Sequence, residues 1–388
     1  VISFAAVLLT FAVTTADGIR DAVAFQIGPR RRDAPAVWGT ALGVMALAGP
    51  LGFAVLFGCW LLVPARPSYL FAACAFPFAL FLQTAGIIYL LRDHIERINR
   101  KNALTIGGGS SLLILALVLV FHATLWTVMW VWAGVYALAA LWSMEGLRAM
   151  LGGRALFGAG LLREQLGFAG KAALSSNVTF LALRVDVFIV SALLAPASLG
   201  IYTLALGTGE VLWSVSRALN WSTAGRVAML DFPAAAALTA RAVRSIVAVQ
   251  FVAGAVLFAV GPWLIDVVYG PRFAAAGPLL RLLLPGMIVY SADGLLSFFI
   301  SVRAARPGLL LGLETVTLVV CGGITLIAIH TLGIFAGALA DTAAYLLSYF
   351  VKIGVFIKLS GLPPADVVVP RRSDIPAFLG GRAEPASS

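Results

Sequence analysis

Residues 174–228 read LSSNVTFLALRVDVFIVSALLAPASLGIYTLALGTGEVLWSVSRALNWSTAGRVA. Two apolar runs are joined by a tight turn at residues 195–200, which holds Pro196 and Gly200. At about 1.5 Å rise per residue, each run is long enough to cross ~30 Å of hydrocarbon. The first run carries Arg184 and Asp186 near its middle, and the second carries Glu210 and Arg217. A charge at that depth costs roughly 2.5–3.5 kcal/mol on insertion scales, so it faces a bundle interior or a water-filled cavity. The stretch predicts a helical hairpin in a membrane bundle with a polar interior.

The rest of the chain agrees. Of its 388 residues, 61% are apolar and only 11% charged, and the mean hydropathy is +1.00. A soluble domain has about 45–50% apolar and about 25% charged residues. This composition predicts an all-α polytopic membrane bundle. A formal charge of +10 invites a nucleic-acid reading. Basic residues of membrane proteins collect in cytoplasmic loops, however, so no nucleic-acid partner is expected. Cys59, Cys74 and Cys321 all sit in apolar runs without metal-ligand spacing and read as small packing residues. His94, His122 and His330 are scattered. No cofactor and no metal are expected.

Hydropathy gives about eleven spans, near 1–25, 36–63, 69–91, 103–121, 125–143, 172–194, 199–222, 245–265, 278–301, 307–329 and 333–357. Pro and Gly punctuate many of the joints: Gly28, Pro29, Pro64, Pro67, Pro196, Gly270, Pro271, Pro307 and Gly333. Loop charge orients them. Arg30–Arg32, Arg92, Arg97, Arg100, Lys101, Arg148, Arg154, Arg163, Lys171, Arg226, Arg241, Arg244, Arg303, Arg306, Lys358, Arg371, Arg372 and Arg382 fall on one side, against Arg66 and Arg272 on the other. The positive-inside rule makes the first side and the C-terminus cytoplasmic.

Four segments follow: an N-terminal lobe of five spans (1–144), a cytoplasmic linker (145–171), a C-terminal lobe of six spans (172–358), and a disordered cytoplasmic tail (359–388) rich in Pro, Ala, Gly and Ser. The linker reads as a lobe-to-lobe connection, with a surface amphipathic segment as the alternative. Gly107–Gly109 reads as a close helix contact.

Intramembrane charges concentrate in the C-terminal lobe. By helix rise Arg184 and Glu210 lie at nearly equal depth on antiparallel neighbours, so they are expected to pair. Asp186 sits about 200° around its helix from Arg184, too far to pair with it. Arg217, Asp293 and Glu314 fall roughly 7–11 Å above the inner boundary and are expected to form one layer. Asp341 lies in the outer half of the last span, and Asp17 with Arg20 closes the first span at its inner end. The alternative is that these are structural ion pairs holding helices in register, since a buried pair is weak evidence of net stability.

The sequence Arg184-Val185-Asp186, followed by an apolar run, Gly200-Ile201-Tyr202, Ala205 and Glu210, resembles the seventh and eighth helices of polysaccharide flippases. Those belong to the multidrug/oligosaccharidyl-lipid/polysaccharide exporter superfamily. Tyr269-Gly270-Pro271-Arg272-Phe273 with the LLLPG of residues 282–286 resembles that family's turn between the ninth and tenth helices. In motif detail the resemblance covers residues 184–286. It implies two lobes, a twelve-helix pattern lacking the first helix, and alternating access.

The resemblance further implies translocation of a polyprenyl-pyrophosphate-linked glycan across a bacterial inner membrane, with membrane lipid and polysaccharide-assembly proteins as partners. A polar headgroup needs a shielded path through hydrocarbon. Arg184, Arg217 and Arg281 are the candidates for its pyrophosphate, because a guanidinium binds oxygens in pairs. Asp186, Glu210, Asp293, Glu314 and Asp341 are the candidates for coupling or ion pairing. The alternatives are a multidrug exporter of the same superfamily, a membrane polysaccharide polymerase or ligase, and a non-transporting scaffold. The enzyme reading is disfavoured because every outer loop is short.

Overall fold

In the computed structural model the described residues are 2–63, 67–105, 108–152, 156–369 and 371, and all regular structure among them is helical. Arg66, Pro64, Gly107, Arg154, Arg372, Arg382 and the tail beyond 371 lie outside them. The chain divides into two compact units, Val1–Asn177 and Val178–Ser388.

The first unit holds α1 (Ile2–Ile27), α2 (Ala34–Leu62), α3 (Ser68–Leu91), α4 (Ile95–Thr105), α5 (Gly108–Leu119), α6 (Leu125–Met150) and most of α7 (Ala159–Ala182). α3 is its core helix, packing against α1, α2 and α6 and burying most of its length. Its sequence explains why: residues 71–91 are almost all apolar or small, with no charge to turn toward solvent. α4 (IERINRKNALT) is amphipathic and polar, unlike its neighbours. α1 meets α7 at Gly18, where an added Cβ would come within 2.6 Å of Ala173 Cβ. Only a residue without a side chain lets two backbones approach so closely.

The second unit holds α8 (Val185–Leu193), α9 (Pro196–Met229), α10 (Phe232–Tyr269), α11 (Ala276–Tyr290), α12 (Asp293–Phe298), α13 (Pro307–Leu332), α14 (Ile334–Ser360) and α15 (Pro364–Val368). A 3₁₀ turn, Pro271–Phe273, precedes α11, and a π-helical turn, Phe299–Arg303, follows α12. α11 and α14 form the centre, with α9, α10 and α13 around them. Tyr202, Leu279, Leu280, Leu283, Leu284, Met287 and Tyr345 are buried together there. Gly286 makes the α11–α14 contact possible, since a Cβ there would stand 2.8 Å from Thr342 Cα.

Among the described residues, seven helices are long and apolar enough to cross a membrane, and an eighth if the bent pair α7–α8 counts as one span. That pair bends by 42° at Leu183–Arg184. The run from Ala276 to Arg303 also serves as one span, though its hydrogen bonding is interrupted near Ser291. There α9 supplies partners: Asn220 Nδ2 donates to Ser291 O at 3.2 Å, and Trp213 Nε1 donates to Met287 O at 3.2 Å beside the helical bond from Ser291 N. Loose carbonyls at membrane depth need such partners.

Three features bear on the expected segments. The linker at 145–171 is mostly helix, because α6 runs on through Met150 and α7 starts at Ala159. The division between units falls inside α7, after Asn177. The tail expected to be disordered from 359 instead begins with the end of α14 and then α15, whose Val367 is fully buried. The Arg244 guanidinium holds the Asp366 carbonyl, which ties α15 to α10. Pro at the N-terminus of α15 presets the helical φ in an otherwise turn-rich segment.

Candidate functional site

Among the described residues of the second unit, buried carboxylates gather in two clusters. Around α14 the sequence sets Asp341, Tyr345, Ser348 and Lys352 at intervals of four, three and four, so they share one face.

At Asp341 four helices meet. Asp186 on α8, Tyr202 on α9, Cys321 on α13 and Asp341 on α14 are all fully buried. The Tyr202 hydroxyl faces both carboxylates: it donates to Asp186 Oδ2 and lies 3.2 Å from Asp341 Oδ2. Cys321 Sγ donates to Asp341 Oδ1 at 3.3 Å. Asp186 Oδ1 is buried with no hydrogen-bond partner. Ligand atoms of Asp186, Cys321 and Asp341 all lie within 4.8 Å of one another, so the group is able to hold a metal ion. Cys321, expected to be a packing residue, belongs to this cluster. Its partners lie 20 and 135 positions away in the chain, so no local spacing announces it.

At Lys352 three helices meet. Lys352 Nζ lies 2.6 and 2.7 Å from the two oxygens of Asp293 on α12, 2.6 Å from Glu314 Oε1 on α13, and 3.0 Å from Ser297 Oγ. Ser348 Oγ donates to Asp293 Oδ1 at 3.0 Å. Glu314 Oε2 is buried with no hydrogen-bond partner. The side chain of Lys352 is 0% exposed.

The expected layer of Arg217, Asp293 and Glu314 is therefore corrected. Asp293 and Glu314 do meet, but the cation between them is Lys352. Arg217 is exposed, and its Nε donates to Trp213 O, one turn back on its own helix, at 3.3 Å. Helix rise fixes height and says nothing about which way a side chain points around the axis.

Arg184 Nη1 lies 2.6 Å from Glu210 Oε1, the pairing expected from equal depth. Arg184 stands at the α7–α8 bend, and Asp186 just beyond it turns to Tyr202 instead. Arg281 lies on an exposed flank, its guanidinium 5.3 Å from the Phe258 ring centroid and its Nε donating to Phe258 O at 3.2 Å.

The first unit has a smaller network. Arg20 bonds Asp17 at 2.7 Å and Asp21 at 2.8 Å, and Gln83 Nε2 on α3 donates to Asp17 Oδ1 at 2.8 Å. Asn177 joins Thr14 and Thr15 nearby. Lys352, Tyr202 and Asp21 were absent from the sequence candidates. Asp21 stands next to Arg20, and the polar stripe on α14 was the available signal for Lys352.

No family model matches the chain, and no curated protein matches its sequence. Solved structures do match in fold. An outward-facing multidrug resistance MATE family transporter of the MOP superfamily superposes with a TM-score of 0.70 at 13% identity, over 93% of this chain and 87% of that one. The eukaryotic MATE transporter AtDTX14 gives 0.70 at 14% identity, over 93% and 88%. The MATE transporter ClbM, described in complex with Rb+, gives 0.71 at 12% identity, over 91% and 85%. The chain is a multi-pass membrane protein with the fold of MATE transporters.

Proposed function

We propose that this chain is a cation-coupled exporter that works by alternating access, with the Asp186–Asp341 cluster as the seat of the coupling ion. One observation carries the reading. Two carboxylates on different helices are fully buried, share one hydroxyl, and leave Asp186 Oδ1 unpartnered. Two anions at close range in a low-dielectric interior need a cation between them, or one of them holds a proton. Carboxylate and phenol oxygens suit a hard alkali cation or a proton, and the thiol adds little to either. Occupancy removes the repulsion and vacancy restores it. The four helices that supply the donors thus have a different energy in the two states, which is what coupling to a conformational change requires.

Two facts support an organic cargo of the multidrug class. One matching structure is described as a multidrug resistance transporter. The arginines suggested for a pyrophosphate are also engaged elsewhere, Arg184 by Glu210, Arg217 by Trp213 O, and Arg281 over Phe258. The second reading, a polyprenyl-pyrophosphate-linked glycan moved across a bacterial inner membrane, is favoured by the motif resemblance over residues 184–286 and requires Arg184 to exchange Glu210 for phosphate oxygens.

The test uses two hosts, one lacking its multidrug exporters and one lacking a glycan flippase. The intact chain is expected to lower retention of a fluorescent organic cation in the first, and Asp341→Asn to abolish this. Rescue of the second host alone would replace the cargo assignment with the glycan. Equal transport by Asp341→Asn and the parent in either host would overturn the coupling site.

A further inference from the structure

We propose that the Asp293–Glu314 pair is a seat for a monovalent cation and that Lys352 fills it as a tethered one. The seat is built from three helices. Four oxygens surround Nζ at 2.6–3.0 Å: both of Asp293, one of Glu314 and Ser297 Oγ. An ammonium group has only three N–H donors. At least one of the four oxygens is therefore held by charge alone, as oxygens are held around an alkali ion.

The arrangement is not that of an ordinary helix-to-helix ion pair. One positive charge sits against two carboxylates, and Glu314 Oε2 is buried without a partner. The acids are oriented for the centre of the seat, not for each other's helices. Ser348 and Ser297 both hydrogen-bond to Asp293, one to each of its oxygens, and fix it there. The lysine stem fills the remaining space, so that nothing of it is exposed.

The consequence concerns ion specificity. A seat filled by the chain itself does not load or unload from solution. Lys352 thereby removes one ion from the transport cycle and leaves the Asp186 cluster as the ion-responsive one. Shortening Lys352 opens the seat to ions of ammonium size.

The experiment measures thermal unfolding of the full-length protein in detergent, with choline, sodium, potassium, ammonium or methylammonium as the chloride. It requires no transport, so its failure is separate from failure of the cargo or coupling readings. Lys352→Ala is expected to unfold at lower temperature in choline. Ammonium or methylammonium should restore it with a saturable response absent from the parent protein. Lys352→Met, which fills the stem volume without charge, should not be restored. No cation-specific recovery of Lys352→Ala beyond the parent's response, or equal recovery of Lys352→Met, would overturn the proposal.

Lys352→Ala combined with Glu314→Gln removes one of the two charges that the loss of Lys352 exposes. It serves where the single variant does not fold in any of the salts. This double variant should still respond to ammonium more than the parent, and where both variants fold its half-saturating concentration should be about tenfold higher or more. No ammonium response above the parent in the double variant would equally overturn the proposal.

Discussion

Asp341 and Lys352 stand on one face of α14, about three helical turns apart, and each anchors its own buried polar cluster. α14 is therefore the helix on which both groups of intramembrane charge depend. Tyr345 lies between them, stacked on Tyr290 with ring centroids 4.7 Å apart. That aromatic layer separates the two clusters with apolar surface.

The Tyr202 hydroxyl is the direct bridge between Asp186 and Asp341. Tyr202→Phe keeps the ring in its fully buried slot and removes only the donor. A buried acceptor left unsatisfied costs about 1–3 kcal/mol. The expected result is a loss of stability in that range in denaturant unfolding, and a larger stabilisation by alkali cations than the parent shows. An unchanged unfolding midpoint would mean that the hydroxyl is not part of the cluster's hydrogen bonding.

Cys321 is fully buried, while Cys59 and Cys74 are partly exposed. A membrane-permeant maleimide should modify Cys59 and Cys74 well before Cys321 in the folded protein. Mass spectrometry of single-cysteine variants reads this directly. Rapid labelling of Cys321 would show that α13 and α14 separate in the resting protein.

Arg184 and Glu210 are only partly buried, at 33% and 24% side-chain exposure. Screening by solvent keeps the coupling of such a pair modest. A double-mutant cycle with Arg184→Gln and Glu210→Gln should give a coupling energy of about 1 kcal/mol in unfolding. A coupling near zero would show that the contact contributes nothing to stability.

The backbone approach at Gly286 admits a sharper comparison. Gly286→Val places a branched side chain against Thr342 Cα and should cost about 1–3 kcal/mol or more by overpacking. Gly323→Ala, on α13, meets nothing within 4 Å and should be neutral or stabilising by up to about 1 kcal/mol. Thermal unfolding of the two variants side by side checks both. Similar midpoints would mean that α11 and α14 are free to move apart.

Charge asymmetry sets a topology. Reporter fusions at Arg31, Arg97, Arg163, Arg241 and the C-terminus are expected on the cytoplasmic side, and fusions at Arg66 and Arg272 on the opposite one. A C-terminal reporter outside the cytoplasm would reverse the orientation.

Much of this was legible in the chain. The apolar runs mark the helices in order, and the Arg184–Glu210 contact follows from counting residues along two neighbouring runs. The count fails where azimuth matters. Arg217, counted into the same layer as Asp293 and Glu314, is exposed and bonds Trp213 O. Lys352 lies close enough to the inner end of the last span to resemble a loop-side basic residue. Its buried partners are 38 and 59 positions away.

Composition and hydropathy alone determined that this is an α-helical membrane protein. Transfer of each side chain from water to hydrocarbon is a local quantity that adds along a run, whatever the other runs do. Which charges meet was decided only by the tertiary structure. The bend at Leu183–Arg184, the interruption near Ser291 and the close contact at Gly286 set how each helix is rotated against its neighbours. Those rotations bring Asp186, Cys321 and Asp341 together, and Asp293, Glu314 and Lys352. They arise from packing between segments distant in the chain, to which no local pattern of residues responds.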